Sequence, residues 1–156
     1  MSVAFRRESD EEHLEPKFEL PIPPGPNLVT ARGAELTIAR IAGIEAAIEA
    51  GGTEEDLKAL KRDLRYWHTR RATMDIQAPA PGGVAAFGTR VRYRFNGKEK
   101  VISIVGDDES DPAAGLISFS SPLARVLIGL GEGDLADFGG KSDAIELLDV
   151  GPLDQP

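Results

Sequence analysis

Apolar positions recur at two different periods along this chain, and the change of period divides it. Ile41, Ile44 and Ile48 fall at spacings of 3 and 4, with Leu36 and Ile38 before them. That pattern lays an apolar stripe on one helix face. Thr30 is placed to cap the start of this helix. Gly51-Gly52 stops it, because glycine readily takes the left-handed cap conformation. Thr53 restarts it: Thr53 with Asp56 resembles a capping box, Asp standing for the commoner Glu. Leu57, Leu60, Leu64, Trp67 and Met74 then follow at spacings of 3, 4, 3 and 7, a heptad-like seam whose vacant place is Arg71. Two such helices joined by a short turn predict an antiparallel hairpin with arms roughly 30 Å long at about 1.5 Å per residue.

Pro79, Pro81, Gly82 and Gly83 break the pattern, and from Val84 the period is two. Val91, Tyr93 and Phe95 alternate with Arg90, Arg92 and Arg94, so one strand face is apolar and the other basic. Asn96-Gly97 favours the type I′ turn of a hairpin, and Lys98 to Val105 returns as the second strand. Gly106 to Pro112 is an acidic loop. Leu116 to Phe119 reads as a short strand. Ser121-Pro122 opens a helix, serine as cap and proline at its first position, and Gly129 closes it. Ala144 to Val150 is a final strand. The expected fold class is α+β, an N-terminal antiparallel helical hairpin followed by a small antiparallel sheet with one helix. The expected segments are a tail over 1–27, a hairpin over 28–78, a linker over 79–83 and a sheet domain over 84–152.

Composition changes this picture at the N-terminus. Glu8 to Glu15 is acidic and polar, and five prolines follow between Pro16 and Pro26. Such a stretch cannot bury enough apolar surface to offset its ordering entropy, and the prolines favour an extended tail. The net charge is −8 over 156 residues. It is distributed as −3 over residues 1–27, 0 over 28–83 and −5 over 84–156. An acidic body argues against phosphate binding as the main activity and fits a basic protein partner. The absence of cysteine excludes disulfides and thiolate metal sites and suits a reducing cytoplasm. No apolar run approaches the roughly 18 residues of a membrane span.

Several side chains are candidates for chemistry, each with a plain structural alternative. Glu54, Glu55 and Asp56 lie in a first helical turn, where carboxylates suit the helix dipole. Asp107, Asp108, Glu109 and Asp111 form a charge run, and such runs are usually solvated. They lack the spacing and distal glutamate of a calcium loop. Ser120, Ser121, Pro122 and Leu123 make a strand end and a helix cap. Arg62, Arg65, Arg70 and Arg71 read as a solvated face with partners such as Glu45 and Asp63. His13 and His68 lie in different segments, and no Ser or Cys stands in a hydrolytic motif. The chain is expected not to be an enzyme.

The run from Ile104 to Gly129, Ile-Val-Gly-Asp-Asp-Glu-Ser-Asp-Pro-Ala-Ala-Gly-Leu-Ile-Ser-Phe-Ser-Ser-Pro-Leu-Ala-Arg-Val-Leu-Ile-Gly, resembles the C-terminal signature of the GreA/GreB family of bacterial transcription elongation factors. Gly133-Asp134 and the last strand follow in the family's order. The opening Met1-Ser-Val-Ala-Phe and Asn27 to Gly33 resemble the same family, and Leu57 to Ala78 is similar to the returning arm of its coiled coil. The resemblance implies an FKBP-like C-terminal domain seated at the secondary channel of bacterial RNA polymerase, with Asp107, Asp108, Glu109, Ser120, Ser121, Pro122 and Leu123 as contacts. It implies a coiled coil whose tip, here Glu54, Glu55 and Asp56, points into that channel. In cleavage-promoting members the tip carboxylates help hold the polymerase magnesium, because magnesium takes oxygen ligands. Here the tip reads Gly51-Gly-Thr-Glu-Glu-Asp-Leu57 on shorter arms, as in the short-armed Rnk-type members. That favours docking without cleavage. The alternatives are a cleavage stimulator and a protein-interaction module with another partner. A prolyl isomerase needs a deep aromatic pocket, and only Phe87, Tyr93, Phe95, Phe119 and Phe138 are on offer. A cytoplasmic monomer with no cofactor of its own, meeting nucleic acid only through polymerase, is expected.

Overall fold

The computed structural model describes residues 19–153. The expected tail falls outside it over residues 1–18, as do residues 154–156. Of the described residues, one compact unit holds 19–25 and 37–73, and the other holds 26–36 and 74–153. The units therefore divide the chain inside the first helix, not ahead of it.

The helical unit is built from α1 (Ala31–Ala50), from Thr37 onward, and α2 (Glu54–Thr73). Gly51 and Gly52 carry φ of 86° and 152° at the turn, the region open to glycine. The capping box forms as the sequence predicts. Thr53 N donates to Asp56 Oδ2 at 3.3 Å, and Asp56 N donates to Thr53 Oγ1 at 3.0 Å. On the predicted stripe only Ile41 is buried; Ile44, Ile48, Leu57, Leu60, Leu64 and Trp67 are half-buried. The Arg40 guanidinium stands 4.9 Å over the Trp67 ring, a cation–π contact. Arg62 pairs with its neighbour Asp63, and Arg65 makes a two-pronged pair with Glu19. Those hydrogen bonds hold the Glu19 carboxyl below its ordinary pKa and raise that of Arg65. Glu45 faces His68 at 3.9 Å rather than an arginine. The expected solvated arginine face is corrected at Arg70, which is buried while Arg71 is exposed. A guanidinium can be buried only when its donors are met. Among the described residues no buried side-chain nitrogen or oxygen lacks a partner.

The sheet unit contains seven strands: β1 (Leu28–Val29), β2 (Asp75–Ile76), β3 (Thr89–Phe95), β4 (Lys98–Val105), β5 (Leu116–Ser118), β6 (Leu135–Phe138) and β7 (Lys141–Pro152). β1 and β2 form a small parallel pair, and the other five strands make one sheet in the order β5-β4-β3-β7-β6. The β3–β4 hairpin turns at Asn96-Gly97 with φ of 52° and 76°, the paired positive angles of a type I′ turn. A wholly antiparallel sheet was expected, but β5 runs parallel to β4. The reason is the length of residues 106–115. They form two single 3-10 turns, Asp107–Glu109 and Pro112–Ala114, and bring the chain back to start β5 in the same direction. β1, β2 and β6 were not anticipated, because each is short. β7 runs longer than the expected 144–150.

Alternation on β7 changes parity part-way. Ile145 and Leu147 are buried, then Val150, because a bulge opposite Arg92/Tyr93 inserts Leu148. Both halves of the strand thus face one core. That core joins Val91, Tyr93, Ile102, Ile104, Ile145, Leu147 and Val150 to Ala124 and Leu127 of α3 (Pro122–Leu127). Burying each large aliphatic side chain contributes roughly 1.5–3 kcal/mol. The outer face carries the predicted arginines, with Arg92 on Glu99 and Arg94 on Glu99 and Glu146. Burial raises the pKa of Tyr93.

Candidate functional site

Two features of the sheet unit, the acidic turn after β4 and the serine corner after β5, are bound to each other. The Oδ1 of Asp107 accepts from Ser118 Oγ and, at 2.8 Å, from Ser120 Oγ. Those hydroxyls lie 2.8 Å apart, and Ser120 N donates to Ser118 Oγ at 3.1 Å. One carboxylate therefore gathers the end of β5. Ser121 then caps α3, its Oγ accepting from Ala124 N at 3.3 Å. Pro122 takes the first helical position and is exposed; Leu123 is half-buried against the core.

Glu109 turns the other way. Its side chain is only 4% exposed. Oε2 accepts from Thr30 Oγ1 at 2.7 Å, and Oε1 accepts from Arg32 Nη1 at 3.0 Å. Thr30 Oγ1 itself accepts from Gly33 N at 2.9 Å, the cap predicted for α1. So a buried carboxylate sits at the first turn of α1, where the free amide groups and the helix dipole favour negative charge. Gly33 makes this possible: a Cβ there would stand 2.8 Å from Glu109 Oε2. Asp108 is half-buried between these two anchored residues, and Asp111 is exposed.

Of the residues picked from sequence, Asp107, Ser120, Ser121, Pro122 and Leu123 come together at one corner. Glu109 does not join them: its carboxylate is spent inside the fold. Sequence reasoning overlooked Ser118, Arg32 and Gly33 as partners of the acidic turn. A glycine in the first turn of an amphipathic helix was the available signal, since glycine there costs helix stability and marks a close approach.

The second candidate place is the start of α2. Glu54, Glu55 and Asp56 are all exposed in its first turn. Asp56 is engaged in the capping box. Among the described residues no group of three or more His, Cys, Asp or Glu is placed to hold a metal ion. A cavity of about 480 Å³ also opens in the sheet unit, lined by Thr30, Arg32, Phe87, Arg90, Glu109 and Leu116 among others. It presents one aromatic wall, Phe87, set edge-on to Phe119. No described helix is long and apolar enough to cross a membrane.

Residues 80–150 match the family model described as the C-terminal region of transcription elongation factor GreA/GreB. The transcription elongation factor GreA of Helicobacter acinonychis is 53% identical over 70 residues, 42% of this chain and 42% of that protein. That of Vibrio parahaemolyticus is 43% identical over 75 residues, 47% of this chain and 48% of that protein. The chain thus aligns with less than half the length of these relatives. A solved structure, described as prokaryotic transcription elongation factor GreA/GreB from Nitrosomonas europaea, is 20% identical with a TM-score of 0.40, covering 82% of this chain and 99% of that one.

Proposed function

We propose that the chain is a member of the GreA/GreB family, whose C-terminal model matches residues 80–150, and a regulator of transcription elongation that binds bacterial RNA polymerase at the secondary channel and does not stimulate transcript cleavage. The observation that carries the docking half is the sequence match over residues 80–150. The corner of Ser120, Ser121, Pro122 and Leu123 is the docking point, with Pro122 exposed just after the cap residue Ser121 and Ser120 bound to Asp107. A fixed backbone lowers the ordering cost of binding. The chain acts as a monomer without a cofactor, and any chemistry is the polymerase's own.

The non-cleaving half is supported by the arm. Each helix has 20 residues, about 30 Å at about 1.5 Å per residue. One tip carboxylate, Asp56, is already committed to its own capping box. Core polymerase titrated with the protein is expected to bind it, and a long-armed cleavage factor is expected to compete. A backtracked complex saturated with the protein is expected to keep its RNA length. Lack of binding to core polymerase overturns the docking reading; shortened RNA overturns only the non-cleaving one. Glu54 and Glu55, exposed at the tip, favour that second reading of a cleavage stimulator. Their substitution by Gln would then abolish the shortening.

A further inference from the structure

Asp107 and Glu109 stand in one single 3-10 turn, about 4 Å apart along its axis at about 2 Å per residue. Both carboxylates are spent inside the sheet unit, on different partners. Asp107 Oδ1 accepts from the hydroxyls of Ser118 and Ser120. Glu109 accepts from Thr30 Oγ1 at 2.7 Å and from Arg32 Nη1 at 3.0 Å. Three residues of chain thus join the serine corner to the first turn of α1.

The turn has little room to yield. It follows Val105, which is 1% exposed and whose carbonyl accepts from Phe119 N at 2.9 Å. It leads into Asp111, which exchanges backbone hydrogen bonds with Leu116 in both directions. Gly106 lies so near the chain ahead of α1 that a Cβ there would collide with the Leu28 carbonyl oxygen. Within the turn, Glu109 N donates to Gly106 O at 3.2 Å. A backbone held at both ends moves as one piece, and groups in one hydrogen-bond network do not respond independently.

We propose that this acidic turn is a strut that couples the serine corner to the start of α1, so that loosening either one loosens the other. A partner that draws Ser120 away from Asp107 is thereby registered at the α1 cap. By reciprocity, the state of the cap sets how firmly the corner is held. The coupling belongs to the fold and does not depend on what docks at the corner.

Amide hydrogen exchange of the isotope-labelled full chain, with no polymerase present, tests the strut. Gly33 N donates to Thr30 Oγ1 and Ala34 N to Thr30 O, so these two amides report on the α1 cap. Ser120 N donates to Ser118 Oγ and Ala124 N to Ser121 Oγ, so these two report on the corner. Asp107→Ala is expected to speed exchange at Gly33 and Ala34 about tenfold. Asp107→Asn keeps an acceptor oxygen and is expected to restore most of the protection. Ser120→Ala, a milder cut, should act in the same direction as Asp107→Ala. Thr30→Val is expected to speed exchange at Ser120 and Ala124. Ser121→Ala removes the α3 cap without touching Asp107, and should speed Ala124 while leaving Gly33 and Ala34 unchanged. Unchanged exchange at Gly33 and Ala34 in the Asp107→Ala chain overturns the proposal. So does an acceleration spread evenly over β3 and β7, which is a loss of global stability, or an Asp107→Asn chain that exchanges as fast as Asp107→Ala.

Discussion

The sheet unit and the helical unit are stabilised in different ways. In the sheet unit Val91, Ile104, Leu127, Ile145 and Leu147 are all 0% exposed. In the helical unit Ile41 is the one buried apolar side chain among the described residues, beside Thr37 and Arg70. The seam there is half-buried and supplemented by a capping box, a cation–π contact and surface ion pairs. Buried apolar area sets global stability, whereas caps and surface pairs each contribute about 1 kcal/mol or less. The contrast teaches that one chain can hold a rigid platform and a pair of helices that depend on local interactions.

The largest expected effect tests the platform. Leu147→Ala should cost about 2–5 kcal/mol in urea unfolding, since it leaves a cavity in a close-packed core. Leu60→Ala on the half-buried seam should cost less than half as much. Equal costs would break the comparison. Glu109→Ala comes next: it strips Thr30 and Arg32 of their common acceptor. A loss of about 1–3 kcal/mol is expected, with faster amide exchange at residues 31–34. Glu109→Gln should lose less, because its amide oxygen still accepts from Thr30. Thr53→Ala should cost about 1 kcal/mol and speed exchange at residues 54–57 without touching the sheet.

Two pH effects sharpen the contrast further. Burial raises the Tyr93 pKa, so in alkali the unfolded chain ionises this tyrosine first. The stabilising difference is fully present below the ordinary tyrosine value of about 10 and is lost as pH rises through it toward the folded value. Tyr93→Phe should remove that part of the alkaline decline, read by circular dichroism against pH. Glu19 has the opposite sign. Its carboxyl is held low by Arg65, so its contribution is present above the ordinary glutamate value and lost as pH falls through the lowered one. Glu19→Gln should produce the smallest change, and high salt should abolish it.

Legibility in the sequence followed how local each cause was. The Thr53–Asp56 box, the Asn96-Gly97 turn and the Ser121-Pro122 cap are decided by residues within four positions of each other, and all three form. The alternation of Val91 and Tyr93 with Arg90 and Arg92 gave the right faces. The parallel return of β5 was not legible, because it depends on how residues 106–115 coil. β1 and β2 owe their pairing to contacts 47 positions apart, Leu28 with Asp75. At the candidate site the corner residues could be picked, but the inward turn of Glu109 could not. A charge run reads as solvated until the partner, 79 positions away at Thr30, is known.

The discontinuity of the sheet unit has a consequence for chain design. Residues 26–36 and 74–153 form one body, so the helices between Leu36 and Met74 are topologically an insertion. A graft that starts at Val84 would discard β1 and β2 and leave Glu109 without Thr30 and Arg32. One that keeps 26–36 and 74–153 retains every strand and both anchors of the acidic turn. Arm length then becomes a free variable. Whole heptads added in matched pairs on either side of Gly51-Gly52 would extend the helices while leaving the platform's own contacts unchanged.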